Sequence, residues 1–136
     1  MRTLVLSDLH ANLEATLSCL DAARQLRFDR IAVLGDLVGY GGSPEEVVRE
    51  IRSLLPAVMI RGNHDRVVAG IERGEEFNLL ALQAAVVNRH FLTRDEFYGY
   101  LADAGFVEVR PAERLDYSIR SHVVAEQYFK PEVRER

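Results

Sequence analysis

Short apolar runs alternate with helical stripes along the first 60 residues of the chain. Three runs rich in branched residues, at 3–7, 31–35 and 57–60, predict buried strands. Between them, apolar residues recur every three or four positions over 12–26 and again over 44–55, which predicts two amphipathic helices. The order β-α-β-α-β favours an α/β fold, with a parallel βαβαβ core and right-handed crossovers.

Both predicted helices carry signals for their ends. Asn12 directly precedes the first apolar stripe and is the favoured N-cap there. Ser43 is the predicted cap of the second helix, with Pro44 in its first turn and Glu46 placed to close a capping box. Pro56 ends this helix. The side chains expected to face inward are Leu13, Leu17, Leu20, Ala23 and Leu26 in the first helix, and Val47, Val48, Ile51, Leu54 and Leu55 in the second.

The rest of the chain begins with a longer helical pattern over 75–91 and then a short helix over 93–105. After Gly105 the period changes to that of strands. The alternation predicts an antiparallel addition made of three strands, at 106–109, 115–119 and 122–129.

Length and composition place the chain among folded proteins. With 136 residues we expect a single domain over 1–136, consisting of a core over 1–92 and a C-terminal helix with antiparallel strands over 93–130. The chain is 48% apolar and 28% charged, which excludes a disordered protein. A net charge of -4 with scattered Lys and Arg argues against broad nucleic-acid binding.

Further exclusions concern the compartment. No apolar run approaches the ~18 residues that a membrane helix needs, so we expect no membrane association. The single cysteine, Cys19, cannot form an internal disulfide and is interpreted as a small buried hydrophobe. A soluble, cytoplasmic protein is therefore expected.

Polar side chains follow each of the three predicted strands. They occupy residues 7–10, 35–36 and 61–65. Because parallel α/β sheets place their ligands outside the carboxyl ends of the strands, we expect these residues to meet at one edge. The potential metal donors among them are Asp8, His10, Asp36, Asn63 and His64.

Carboxylate, imidazole and amide donors suit divalent ions such as Mn²⁺, Fe²⁺, Zn²⁺ and Mg²⁺. Asp8 and His10 lie two residues apart, so on an extended strand end both side chains would point the same way and could serve one metal. Asp36 could bridge two metals, and Asn63 could give a neutral oxygen to the second. Two cations ~3.5–4 Å apart would clamp a phosphate and activate a water between them.

Each of these residues also has an ordinary structural explanation. Asp8 could cap the following helix, and Asp36 could form an Asx turn ahead of the glycine loop. Asn63 and Asp65 could be turn formers. The functional interpretation is favoured because all four occur at three parallel strand ends together with two histidines.

Three other residues are assigned structural roles. His90 is interpreted as a cation near a helix C-terminus. His122 is interpreted as an ordinary half-buried histidine. For Tyr40, loop packing is favoured over substrate contact.

Three segments resemble the first three signature blocks of the calcineurin-like metallophosphoesterases, in order, in spacing and in the strands that precede them. The segments are Ser7-Asp8-Leu9-His10-Ala11-Asn12-Leu13, Gly35-Asp36-Leu37-Val38-Gly39-Tyr40-Gly41 and Gly62-Asn63-His64-Asp65. The resemblance covers residues ~1–92. It implies a metal-dependent phosphoesterase that hydrolyses phosphomonoesters or phosphodiesters with a water activated by two metals. The Gly39-Tyr40-Gly41 variant is similar to the small bacterial branch that hydrolyses phosphodiesters.

The resemblance also implies roles, a cofactor and a substrate class. Asp8 and His10 would bind the first metal, Asp36 would bridge, and Asn63 would bind the second metal and contact substrate. His64 would contact the phosphate or protonate the leaving oxygen, and Asp65 would orient His64. Manganese is the favoured ion, two per complete site, with iron, zinc, nickel or magnesium as alternatives. The expected partner is a phosphorylated small molecule.

The family's later histidine block and its Gly-His-x-His block have no counterpart in these 136 residues. The second metal would then have only Asp36 and Asn63 as ligands, and we expect weak, labile binding. The family's second sheet is also missing, so the 75–91 helix, the C-terminal strands or a second subunit must cover one face of the sheet. A homodimer or other oligomer is therefore expected.

Two other functions compete with hydrolysis. The missing blocks permit a non-catalytic descendant that serves as a binding or assembly module. Residues 92–129 loosely resemble the C-terminal helix and hairpin of class I methyltransferases. No glycine-rich methyl-donor loop precedes them, so methyl transfer is not inferred.

Overall fold

A computed structural model describes residues 1–92, in which parallel strands alternate with helices. The strands are β1 (Thr3–Leu6), β2 (Arg30–Val33) and β3 (Val58–Met59), and the helices are α1 (Leu13–Arg24), α2 (Pro44–Ser53), α3 (Asn63–Val68) and α4 (Leu79–Phe91). The predicted α/β class and βαβαβ order are confirmed. The helix predicted at 93–105 and the strands at 106–129 lie outside the described residues. No helix within 1–92 has the length and apolarity needed to span a bilayer.

The sheet is parallel throughout, in the order β1-β2-β3. Leu6 pairs with Val33 and Val33 with Met59, and all three are buried on one face. The helices pack in the order α1, α2, α4, α3, and each contacts the next. On the other face, Val5 and Val58 remain 43% and 40% exposed. Cover of that face by the C-terminal strands or by a second subunit stays a prediction.

Helix α1 begins as predicted but presents a different face. The N-cap is confirmed, because Asn12 Oδ1 accepts the N–H of Ala15 at 3.0 Å. The buried residues are Thr16, Leu20 and Ala23, whereas Leu17, Leu26 and Cys19 are exposed, contrary to prediction. Thr16 can face inward because its hydroxyl donates to the carbonyl oxygen of Asn12. The helix ends at Arg24, which leaves Leu26 beyond its last turn.

The ends of the later helices differ from the predictions in three places. Ser43 precedes α2, but its side chain makes no capping hydrogen bond, so the predicted capping box is wrong. Leu55 lies past the end of α2 and is exposed, not inward. Helix α4 begins at Leu79, four residues later than predicted, because Asn78 caps it by accepting the N–H of Ala81.

The two caps give a matched test of the local structure. Asn12→Ala removes the acceptor of the Ala15 N–H and should lower the free energy of unfolding by about 1 kcal/mol. Ser43→Ala removes no capping bond and should change it by less than about 0.5 kcal/mol. Urea denaturation of both variants measures the difference, and equal losses would contradict the cap assignments.

Candidate metal centre

The loops that follow β1 and β2 are joined through their backbones. The N–H of Asp8 donates to Gly35 O at 3.1 Å, and the N–H of His10 donates to Asp36 O at 2.8 Å. Asp8, His10 and Asp36 have φ values of 55°, 47° and 52°, so the expected extended strand end is wrong. Left-handed backbone costs a non-glycine residue roughly 1–2 kcal/mol. It persists where surrounding contacts over-determine it, and it clusters at functional sites.

Three predicted metal ligands converge at this loop pair. One ligand atom from each of Asp8, His10 and Asp36 lies within 4.8 Å of the others. Nε2 of His10 is 3.6 Å from Asp8 Oδ1, while Nδ1 donates to Val38 O at 3.2 Å. In the neutral imidazole this tautomer leaves the lone pair of Nε2 available for a metal, in the way that outer hydrogen bonds fix ligating histidines. The donor set therefore fits a divalent cation.

Asn63 occupies a different wall of the site. It is the exposed first residue of α3, a helix that the sequence did not predict because its first residues are polar and it spans only six residues. The following residue, His64, donates its backbone N–H to Asp36 Oδ1 at 2.9 Å. The end of β3 thus reaches the metal-ligand group, and the role of Asn63 as a second-metal ligand stays a prediction.

Glycine at position 62 allows β3 to approach Asp36 this closely. A Cβ added at Gly62 would lie 2.0 Å from Asp36 Oδ1 and 2.5 Å from Asp36 N. Its φ of -75° suits any residue, so space and not backbone strain requires glycine there. The carboxylate of Asp36 is consequently packed against backbone on one side.

An aromatic group surrounds the second histidine of the site. His64 is only 5% exposed, and its ring centroid lies 4.8 Å from that of His10, 4.7 Å from Tyr40 and 4.5 Å from Phe77. Tyr40 also packs edge-on against His10 at 5.0 Å. Tyr40 therefore lies at the site. From the sequence, Phe77 was assigned only to the helical pattern over 75–91 and not to the site.

Burial sets the charge of the two titratable groups at the centre. It lowers the pKa of His64 and so favours a neutral imidazole, although the Asp36 carboxylate opposes this shift. Burial also raises the pKa of Asp36, although the N–H of His64 stabilises the ionised form. Nδ1 of His64 is buried with no hydrogen-bond partner among the described residues, and a Cβ at Gly39 would lie 2.3 Å from it.

Asp65 joins the loop after β2 to the start of α3. Its fully buried carboxylate accepts the N–H groups of Leu37 and Val38 through Oδ1, at 2.9 and 3.2 Å. Through Oδ2 it accepts those of Asp36 and Gly62, at 2.8 and 2.9 Å. Burial, together with the charge of Asp36, raises the pKa of Asp65 to about 6, although the N–H groups of Gly62, Val38 and Leu37 oppose the shift. The predicted effect of Asp65 on the neighbouring histidine would therefore act through the backbone.

The sequence interpretation missed one buried residue that supports the site from behind the Gly39-Tyr40-Gly41 turn. Asn88 on α4 accepts the N–H of Gly39 through Oδ1 at 2.7 Å and donates from Nδ2 to Gly41 O at 2.8 Å. A signal for it exists, because Asn88 continues the buried face of α4 formed by Ala81 and Ala85. A polar residue on the apolar face of an amphipathic helix needs a hydrogen-bond partner.

Comparison with known proteins identifies the family. Residues 1–127 match the family described as calcineurin-like phosphoesterase. The chain belongs to this family, which confirms the resemblance stated from the sequence. The matched range extends past the three signature blocks and past residue 92, where the resemblance was expected to end.

Individual relatives agree with this assignment. An uncharacterized protein of Methanocaldococcus jannaschii is 43% identical over 74 residues, which cover 54% of this chain and 30% of that protein. A symmetrical bis(5'-nucleosyl)-tetraphosphatase of Yersinia pestis is 39% identical over 84 residues, covering 55% of this chain and 28% of that enzyme.

A solved structure has the same fold. The crystal structure of a metallophosphoesterase from Sphaerobacter thermophilus matches with a TM-score of 0.61 and 38% identity, over 85% of this chain and 44% of that chain. The chain thus spans less than half the length of each of these proteins. Membership of the family implies divalent metal ions, and the group of Asp8, His10 and Asp36 is placed to hold one.

Proposed function

We propose that this chain acts as a metal-dependent phosphoesterase that hydrolyses phosphorylated small molecules. The observation that carries the proposal is the convergence of Asp8, His10 and Asp36 within 4.8 Å, directly beside the buried His64. A structural role for each of these residues alone would not require their donor atoms to meet. Hydrolysis of phosphoesters is the chemistry of the family to which the chain belongs.

The chain's residues divide between two cation positions. Asp8, His10 and Asp36 would hold the first ion, and Asp36 with Asn63 would hold the second. Manganese is the favoured ion, with iron, zinc, nickel or magnesium as alternatives. When bound, such ions supply positive charge to the phosphoryl oxygens and lower the pKa of water to the range where it can attack phosphorus.

His64 is suited to the substrate side of the reaction. Burial favours the neutral imidazole, and Nδ1 is packed against Gly39, so we assign the contact with a phosphoryl or leaving oxygen to Nε2. Packing against Tyr40 and Phe77 fixes the ring plane. A fixed ring direction lowers the cost of reaching the transition state.

We propose a substrate that carries a group on each side of the phosphate, because two cavities are lined in part by residues of the candidate site. One of about 540 Å³ is lined in part by Asp8, His10 and Tyr40. The other, of about 630 Å³, is lined in part by Asn63 and Phe77. Phosphodiesters and phosphoanhydrides have this form, and the name of the Yersinia relative describes a substrate of the second kind.

We also propose a cytoplasmic homodimer or other oligomer. The half-exposed sheet face that includes Val5 and Val58 supports association, because soluble proteins avoid large exposed apolar patches.

The assay that tests the proposed function compares p-nitrophenyl phosphate with bis-p-nitrophenyl phosphate in the presence of Mn²⁺. We expect hydrolysis of both, faster for the diester, with turnover lost on addition of EDTA and restored by excess Mn²⁺. Turnover that survives complete chelation would contradict the proposal. Stoichiometric Mn²⁺ binding without turnover would favour the alternative, a non-catalytic binding or assembly module, which is consistent with only two ligands for the second ion.

A further inference from the structure

A buried amide on α4 holds both ends of the Gly39-Tyr40-Gly41 turn. Asn88 is 1% exposed, and its side chain uses both of its polar atoms on this turn. Oδ1 accepts the N–H of Gly39 at 2.7 Å, and Nδ2 donates to the carbonyl oxygen of Gly41 at 2.8 Å. The amide reaches the turn from 47 and 49 residues further along the chain, so the contact is tertiary and not part of the local turn.

The turn has a backbone that requires such support. Gly39 has a φ of 93° and Tyr40 a φ of 57°, and the second value is unfavourable for a residue with a large side chain. The N–H of Gly41 donates to His10 O at 2.8 Å, and a Cβ at Gly41 would lie 2.5 Å from that oxygen. The turn is therefore pressed against the backbone of a metal ligand.

The same turn contacts the rings of both site histidines. The Tyr40 ring lies 5.0 Å from His10 and 4.7 Å from His64, measured between centroids. The backbone of Gly39 lies against Nδ1 of His64 so closely that an added Cβ would reach 2.3 Å. A displacement of the turn must therefore move the Tyr40 ring, free space beside His64, or both.

We propose that Asn88 is a positioning residue, which sets the orientation of His64 and Tyr40 by holding both ends of the turn between them. The inference rests on the proposed function, in which His64 contacts the substrate. Asn88 itself is separated from the site by the turn. A purely structural Asn88 would affect stability alone, whereas a positioning Asn88 affects the two rings at equal stability.

The decisive comparison is between the variants Asn88→Ala and Asn78→Ala. Asn88 lies on α4, and Asn78 is the N-cap of the same helix. Asn78 caps α4, so its loss destabilises the helix without touching the turn. The ring resonances of His10 and His64 are recorded by NMR in the metal-free protein, where the Tyr40 ring current acts on both. We expect Asn88→Ala to shift the resonances of both rings. Asn78→Ala, whose neighbour Phe77 packs on His64, should leave the His10 resonances unchanged. Equal shifts in the two variants, or none in Asn88→Ala, would overturn the proposal.

A second variant covers the case in which Asn88→Ala does not fold. Asn88→Asp keeps an acceptor for the N–H of Gly39 but, when ionised, cannot donate to Gly41 O. We expect it to shift the His64 resonances. Wild-type resonance positions in folded Asn88→Asp would overturn the proposal.

Measurement of kcat and KM tests whether the position of the rings affects turnover. With bis-p-nitrophenyl phosphate and Mn²⁺, Asn88→Ala should lower kcat by about 10- to 100-fold with little change in KM, because a slightly misplaced group costs transition-state binding most. Asn78→Ala should lower kcat much less than Asn88→Ala at a temperature where both variants are folded. An unchanged kcat in folded Asn88→Ala would contradict the proposal. If the wild type shows no turnover, the proposed function fails, and the resonance comparison alone decides the role of Asn88.

Discussion

Asp36→Asn should lower kcat for diester hydrolysis by about 1,000-fold, which corresponds to the several kcal/mol that a metal contributes to the transition state. The substitution replaces a carboxylate at the centre of the metal-ligand group with a neutral amide of the same shape. The amide oxygen can still accept the N–H of His64, which Asp36 Oδ1 accepts at 2.9 Å. The fold should therefore persist while cation binding is lost.

Isothermal titration with Mn²⁺ separates this explanation from misfolding. Loss of one outer-shell partner typically costs about 10- to 100-fold in metal affinity, and loss of a direct ligand, the role proposed for Asp36, should cost more. Asp29→Asn is the matched control, because Asp29 is exposed and precedes β2 whereas Asp36 follows it. We expect wild-type turnover and Mn²⁺ binding in the control. Equal rates for wild type and Asp36→Asn would show that another site is the source of any activity.

The sequence was sufficient to predict which carboxylate and imidazole side chains meet at this edge of the sheet. Asp8, His10 and Asp36 each follow a short apolar strand, and the parallel order of the strands brings their ends to one edge. The strand pattern and the right-handed crossover between parallel strands are enough to bring these residues together. The predicted extended geometry was nevertheless wrong, because left-handed backbone at these positions depends on hydrogen bonds between two loops far apart in the sequence.

Residues that act through tertiary contacts were beyond the reach of the sequence patterns. Asn88 lies in a helical stripe where only its polarity distinguishes it from its neighbours, and its partners at Gly39 and Gly41 are set by the packing of α4. The face of α1 was predicted from apolar spacing, but Thr16 takes an inward position because its hydroxyl finds a local acceptor. In both cases a hydrogen bond decided what hydrophobic periodicity could not.

Asp65→Ala should lower the free energy of unfolding at pH 7 by about 4 kcal/mol. The carboxylate accepts four backbone N–H groups, and each buried donor left without an acceptor costs roughly 1–3 kcal/mol before the chain relaxes. Urea denaturation measures the change. Asp21→Ala is the control, because Asp21 is an exposed partner of Arg24 and such surface pairs contribute at most about 1 kcal/mol. Similar losses in the two variants would contradict the structural role of Asp65.

The pH dependence of the same comparison tests the burial of this carboxylate. In the folded protein the pKa of Asp65 is about 6, above the value of about 3.9 expected for an exposed aspartate. Because the folded pKa is the higher one, protonation of Asp65 stabilises the fold, and this stabilisation is lost as pH rises through about 6. The difference in unfolding free energy between wild type and Asp65→Ala should therefore be about 1 kcal/mol larger at pH 5 than at pH 8. His64 titrates in both proteins, so its effect largely cancels, whereas the charge of Asp36 adds to the upward shift of the Asp65 pKa. A difference that grows with pH would mean that the four N–H groups outweigh desolvation and hold Asp65 ionised in the fold.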